Sequence, residues 1–278
     1  MKKKPSIHKV RNFWNNNPLF VGESKEKIGS ARFFKAHNKT IIDEIFFGKK
    51  NIFKKVFFPK IKKNKKIKVL DLGCGIGFWL SFMENNFNYK LHGSDISSNS
   101  INIAKKRVSK KIKFNLQKNE RLIYPNGFFN HVNCQGVLHH TTNPEILLSE
   151  IFRVLDDLGT CSLSVYYENF ILRNYEYFYY FLNLFSFVFK NKGRGRNFKK
   201  LPKNKYEVVK LYDGKNNPIG YALSKKEIIA MVENSGFKVL NFKFYFFPIR
   251  FLKIKFPNFI NNFLSNFLPF MIIINLKK

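Results

Sequence analysis

The sequence predicts an α/β fold, a doubly wound and mostly parallel sheet of seven strands flanked by helices. Three observations carry that expectation. Short apolar runs alternate with helical patterns through residues 67–166. A glycine-rich turn follows the first run, where a strand has to pass tightly into a helix. After an interruption at residues 167–220 the alternation resumes and adds the last two strands.

The elements follow in order. Ile67–Leu72 is a short apolar run closing on glycines, a buried strand. Phe78–Phe87 follows as a helix, and Leu91–Ser94 as a second strand. Ser98 is placed to cap a helix whose Ile101, Ala104 and Val108 share one face. Ile112, Phe114 and Leu116 alternate with polar residues as a third strand, and Phe128–Asn133 is a fourth. Thr142-Asn-Pro-Glu145 opens a helix, with Pro144 tolerated in its first turn and Glu145 favoured there by the helix dipole. Cys161, Leu163 and Val165 form a fifth strand. Ser224-x-x-Glu227 reads as a capping box and Gly236 as a helix stop. Leu240, Phe242, Phe244 and Phe246 alternate strictly with their neighbours, and Met271–Leu276 closes the sheet.

The chain has 50 Lys+Arg against 18 Asp+Glu, a formal net charge of +32. Residues 69–167 hold 10 basic and 8 acidic side chains, whereas residues 1–68 hold 20 and 4. The charge therefore belongs to the flanks. It is mostly Lys, and with abundant Asn, Ile and Phe it reads as genomic composition on solvated faces, although it also suits an anionic partner. An apolar content of 45% excludes a disordered polybasic chain. Cys74, Cys134 and Cys161 are too scattered for a disulfide framework and read as reduced, buried side chains of a cytoplasmic protein. No apolar segment follows the basic N-terminus, so no secretory signal is read there. The most apolar run, Tyr177–Phe189, is short of the roughly 20 residues that span a bilayer.

The sharpest feature is Val69-Leu-Asp-Leu-Gly-Cys-Gly-Ile-Gly77. Glycines at a strand–helix turn let a ligand lie on the backbone, and the following helix offers free amides. A dinucleotide site of the G-x-G-x-x-G kind would need glycine at position 78, which is Phe78. The spacing G-x-G-x-G, with Asp71 two residues before Gly73, instead resembles motif I of the class I S-adenosylmethionine-dependent methyltransferases. Further matches stand in order. Asp95 closes the second strand. Asn119-Glu120 follows the third. Phe128–Thr141 resembles the family's fourth-strand segment that ends in a Gly-Val-Leu-His-His run, and Glu150–Leu155 with Gly159 resembles the helix and turn before its fifth strand. The resemblance covers residues 66–166 and is nearest to the ubiquinone/menaquinone-biosynthesis type of small-molecule methyltransferase. Val10–Pro18 and Asp213–Pro218 resemble a less characterised bacterial branch.

The resemblance implies a Rossmann-like methyltransferase fold and S-adenosyl-L-methionine as cofactor. It implies that Asp71, Gly73, Cys74, Gly75 and Gly77 hold the methionine end. Asp95 and Ile96 would hold the ribose, Asn119 and Glu120 the adenine, and Gln135 would complete the site. His139 and His140 are candidate general bases, with packing beside the cofactor as the alternative. Tyr166 and Tyr167 stand at the rim where open α/β sheets seat substrates. No metal is expected.

The expected organisation is an N-terminal helical lid (1–60), the cofactor-binding core (61–166), an inserted substrate-side lid (167–220) and the rest of the core sheet (221–278). Phe33, His37, Ile41 and Ile45 share one helical face of the first segment. The aromatic helix Tyr175–Phe189 is expected to be buried as a lid over an apolar pocket. Its alternative is peripheral contact with an anionic membrane, flanked by Lys190, Lys192 and Arg194. Gly193-Arg-Gly-Arg196 is read as a solvated loop, with phosphate contact as the alternative. The leading function is methyl transfer to oxygen, carbon or nitrogen of a small, apolar or lipid-like acceptor. The alternatives are an RNA methyltransferase, suggested by the charge, and a non-catalytic cofactor binder. Against the nucleic-acid reading, the fourth strand runs Asn133-Cys-Gln-Gly136, not Asn-Pro-Pro-aromatic, and no RNA-binding module is recognisable.

Overall fold

A computed structural model describes residues 4–47, 53, 67–254 and 256–278. Its seven strands are β1 (Lys68–Leu72), β2 (Lys90–Asp95), β3 (Lys113–Leu116), β4 (Phe129–Gln135), β5 (Leu155–Tyr166), β6 (Lys238–Tyr245) and β7 (Met271–Lys277). Helices are α1 (Ile7–Asn16), α2 (Ala31–Lys39), α3 (Phe78–Asn86), α4 (Ser98–Lys105), α5 (Pro144–Val154), α6 (Phe170–Arg173), α7 (Tyr175–Leu184), α8 (Lys205–Leu211), α9 (Lys225–Asn234) and α10 (Asn258–Phe267). The sheet order is β3-β2-β1-β4-β5-β7-β6, parallel except where β7 runs antiparallel to both β5 and β6. The order reverses between β1 and β4. A crevice opens there at the carboxyl ends of the strands.

Strand periodicity sorts the core into two faces. Leu70 and Leu72 of β1 join Leu148 and Ile151 of α5 and Ile228 and Val232 of α9. Val69 points the other way, onto Leu80 and Met83 of α3. Burying each such aliphatic side chain is worth about 1.5–3 kcal/mol. The capping box at Ser224 and Glu227 forms as expected.

Three details depart from expectation. The cap of α4 is Ser97, not Ser98. Its Oγ accepts the Ser100 amide at 3.0 Å, and its own amide is fixed by Asp95. The register of β6 slips between Val239 and Asn241, so Leu240 is the extra residue of a bulge and faces solvent while Phe242 and Phe244 pack on the core. Phe246 lies beyond the strand with φ 61° and turns inward onto Phe270.

The aromatic segment forms α7 and a short 3-10 turn, Ser186–Val188. It is not buried as a lid. Tyr175 is buried and Leu182 packs beside Phe198 and Phe251, but Tyr177, Tyr180, Phe181 and Leu184 are exposed. In the N-terminal segment, Phe33 and His37 of α2 are buried, and a π-helical turn, Thr40–Ile45, carries Ile41 and Ile45 against the core beside α3. The boundary expected between residues 60 and 61 lies outside the described residues.

Candidate active site

At the reversal point a cavity of about 260 Å³ is bounded below by the β1–α3 loop and above by residues of the N-terminal segment and the insertion. The loop is built on left-handed glycines: Gly73, Gly75 and Gly77 have φ of 68°, 51° and 80°. At Gly73 a Cβ would stand 2.2 Å from Val137 Cγ2, so neither the backbone angle nor the space admits a side chain. The amides of Gly73 and Cys74 both donate to the Ser94 carbonyl, at 2.7 and 3.0 Å, pinning the loop to β2.

Asp95 closes this arrangement. Its Oδ2 accepts the Gly75 amide and its Oδ1 the Ser97 amide, each at 2.8 Å. Burial pushes its carboxyl up to about 6, against the pull of those amides. The Ile96 amide pulls the same way, and Asp95 lines the cavity with what acceptor capacity remains. Ile96 lines the cavity beside it, as do Gly73, Cys74 and Gly75. This is a cradle that fits the S-adenosylmethionine expected from the sequence: close backbone at one end and a hydroxyl-accepting carboxylate at the next.

Other predicted residues divide. Asn119 lines the cavity, its Oδ1 accepting the Arg121 amide at 2.9 Å. Glu120 also reaches it, but its Oε1 accepts the amides of Thr142 and Asn143 at 3.1 and 3.2 Å and the Thr142 hydroxyl. It thereby ties this connection to the start of α5. Gln135 donates to Asn133 Oδ1 and the Ser162 carbonyl, while its buried Oε1 has no hydrogen-bond partner among the described residues. Asp71 and Gly77 lie outside the lining. Asp71 sits behind the loop and accepts from Asn133 at 2.7 Å; burial, with the charge of Asp95 added, raises its carboxyl to about 7 despite that bond. Gly77 begins α3 and packs against Ala104.

The two histidines separate as well. His139 is fully buried away from the cavity, its ring centre 3.8 Å from that of Tyr166 and tilted 35° to it, with Nδ1 accepting the Tyr166 amide at 3.3 Å. Burial and the neighbouring His140 hold its imidazole well below the usual range. His140 lines the cavity. Its Nδ1 lies 2.8 Å from the Ile219 carbonyl and its Nε2 3.1 Å from Asp213 Oδ2. The same Asp213 oxygen accepts the Tyr166 hydroxyl at 2.9 Å. Burial pushes the Asp213 carboxyl up, but His140, Arg194 and the Tyr166 hydroxyl together hold it below the ordinary value. Tyr166 lines the cavity; Tyr167 does not, and packs on Phe244 instead. Asp213 is among the cavity residues that sequence reasoning missed, with Trp14, Arg194, Arg196 and Arg250. Only its match to the Asp-Gly-x-x-Asn-Pro segment set it apart from an ordinary turn.

The glycines of the Gly193–Arg196 loop are exposed, but its arginines are not solvated: Arg196 is buried and Arg194 half-buried. Gly193 lies so close to Gly22 that a Cβ would meet the Gly22 carbonyl at 1.9 Å. Arg196 donates to Glu23 Oε1 at 2.9 Å and to the Tyr212 carbonyl at 2.7 Å, and Arg250 pairs with the other Glu23 oxygen. Burial pushes the Glu23 carboxyl up, yet Arg250, Arg196 and Arg194 bring it below its usual value. The acid that pairs with Arg196 stands 173 residues away from it, and local composition could not reveal it. Arg194 donates to the Asn17 carbonyl at 2.9 Å and lies over the Trp14 ring. Its buried Nε has no hydrogen-bond partner among the described residues. Arg194, Arg196, Arg250 and Trp14 all face the cavity.

Residues 70–163 match a family model described as a methyltransferase domain. Phosphoethanolamine N-methyltransferase of Plasmodium falciparum is 28% identical over 116 residues, 40% of this chain and 44% of that protein. The tRNA U34 carboxymethyltransferase of Sulfurimonas denitrificans is 28% identical over 106 residues, 37% of this chain and 36% of that protein. The chain thus spans less than half the length of these curated relatives. Among solved structures, a chain from the complex of the Haloferax volcanii Trm112 methyltransferase activator with a methyltransferase superposes with a TM-score of 0.57. It has 16% identity, over 88% of this chain and 93% of that one, a likeness of fold.

Proposed function

We propose that the chain, whose residues 70–163 match a methyltransferase domain, moves a methyl group from S-adenosylmethionine to a small acceptor that carries an anionic group. The acceptor sits between the glycine loop and the roof formed by Arg194 and Asp213. The observation that carries the reading is Asp95. A buried carboxylate, held by two backbone amides beside a left-handed glycine turn, suits the two hydroxyls of a ribose. The cofactor supplies a methyl already activated on a sulfonium.

The chain's own residues do the rest. Gly73, Cys74 and Gly75 receive the methionine end, with Asp71 behind the loop bonded to Asn133. Asp95 and Ile96 take the ribose, and Asn119, backed by Glu120, the adenine. The Gln135 Oε1, a buried acceptor with nothing to accept, is suited to a donor on the cofactor or the substrate. Trp14, Ile41, Ile45 and Tyr212 give the acceptor apolar walls that exclude water. Arg194, with an unused Nε, supplies the cation for an anionic group; the phosphoethanolamine-methylating relative supports an acceptor of that chemistry.

Proton removal falls to Asp213 in this reading. Both ring nitrogens of His140 are engaged, Nδ1 at the Ile219 carbonyl and Nε2 at Asp213, so neither is left to take a proton from the acceptor. The lone pairs open to a proton are those of Asp213, and His140 and Tyr166 position it. A weak base suffices, because a methylated nitrogen or oxygen is far more acidic than the acceptor it came from. A nucleic-acid acceptor draws support from the net charge of +32 and from the tRNA-modifying relative. The buried roof of Glu23, Arg196 and Arg250 favours a small molecule. Calorimetric titration with S-adenosylhomocysteine tests the reading. The wild type should bind and Asp95→Ala should not; equal affinity in both would overturn it.

A further inference from the structure

We propose that α7 and α10 together form a docking face for an anionic lipid surface. A surface helix usually turns its apolar side inward and its polar side out; α10 inverts that pattern, and α7 is apolar on its outer side as well as its inner one. On α7, Tyr177, Tyr180, Phe181 and Leu184 recur at helical spacing and are exposed, Tyr177 at 86% and Leu184 at 71%. On α10, Phe259, Phe263 and Phe267 stand four apart, at 72%, 63% and 71%. The two buried residues of α10 are polar. Asn261 donates to the Phe256 carbonyl and Ser265 accepts the Phe247 amide. A helix that buries Asn and Ser while presenting three phenylalanines is built to be covered by something apolar.

The two helices leave one seam. Phe189, just past α7, bridges Leu252, just before α10, and the Lys190 amide donates to Phe251 and the Lys253 amide to Val188 at 2.7 and 2.8 Å. Charge selects the occupant. No acidic residue occurs between Tyr177 and Tyr206, or after Glu233. Lys190, Lys199, Lys200, Lys203 and Lys253 have no ion pair among the described residues. Aromatic stripes bordered by unpaired lysines match the acyl boundary and the phosphates of an anionic leaflet. At ten residues each the helices are too short to span, and no helix among the described residues is long and apolar enough to cross a membrane. They would lie in the interface plane. Arg250, one residue from the seam, lines the cavity, so the face adjoins the site without depending on its chemistry.

The test is flotation of the full chain with vesicles of phosphatidylcholine alone and of phosphatidylcholine mixed with phosphatidylglycerol. Wild type should float with the mixed vesicles, release in high salt, and bind the neutral ones weakly. Phe181→Ser and the double change Phe263→Ser, Phe267→Ser should each lower partitioning by about tenfold per phenylalanine at an unchanged melting temperature. Failure to bind the mixed vesicles, or equal binding by the variants, overturns the proposal. So does a concentration-dependent dimer that the same substitutions dissociate, which would make a second copy of the chain the occupant.

Discussion

Asp95 offers a prediction whose size can be worked from the structure. Burial places its carboxyl near 6 although amides bond both oxygens. Ribose hydroxyls donate to the ionised form, so binding draws that value down and affinity is full only where the carboxylate is already charged. Affinity should therefore be flat above about pH 6 and fall below it. At pH 5 about nine in ten unliganded molecules carry the neutral acid, and the dissociation constant for S-adenosylhomocysteine should be about tenfold higher than at pH 7, about 1.4 kcal/mol. Asp95→Asn should abolish this dependence. It replaces charge-assisted bonds with neutral ones and sets an NH₂ against a backbone donor, costing about 3 kcal/mol, on the order of a hundredfold in affinity. The opposite trend holds for folding without ligand. The folded carboxyl lies above its usual 3.8, so its contribution to stability is complete below that value and is lost as pH rises through about 6. Calorimetry across this range, on wild type and variant, is the assay. A flat profile in the wild type, or a slope that survives in Asp95→Asn, would refute the reasoning.

Further outcomes follow from the same geometry. Gly73→Ala forces an L side chain to φ 68° and a Cβ into Val137, so cofactor binding should be lost, and adding Val137→Ala should recover it only in part, as calorimetry would show. Asp213→Asn should leave cofactor affinity intact and lower turnover by 10²–10⁴-fold, about the share of a general base, with the acidic limb of the rate profile removed. Glu23→Gln strips the charge that pairs Arg196 and Arg250 and should cost about 3–5 kcal/mol in urea unfolding. The Glu23 carboxyl is held below its usual 4.5, so the stability it adds is present above that value and is lost as the pH falls beneath it.

The sheet was legible because its signals are local. Val69 and Leu70 face opposite ways by strand geometry alone, and the glycine turn declares itself by spacing. The half of the site built on that turn, Gly73 to Gly75 and Asp95, came with it. What stayed hidden depends on partners remote in sequence. Arg196 reads as a solvated cation until Glu23 is placed beside it, and Asp213 as a turn residue until His140 and Tyr166 reach it. Leu240 shows a local limit: strict alternation cannot report the bulge that turns it outward. The aromatic helix was misjudged for a further reason. Apolar composition shows that a surface must be covered, but not by what.

The two halves of the site also differ in how far the chain must reach to make them. Gly75 and Asp95 are 20 residues apart, whereas Glu23 meets Arg250 across 227. During synthesis the cofactor's cradle can form once the first strands have emerged, while the roof waits for nearly the whole polypeptide. The half proposed to shelter the acceptor therefore depends on closure across almost the full span from Glu23 to Arg250, and the half proposed to hold the cofactor depends on it far less.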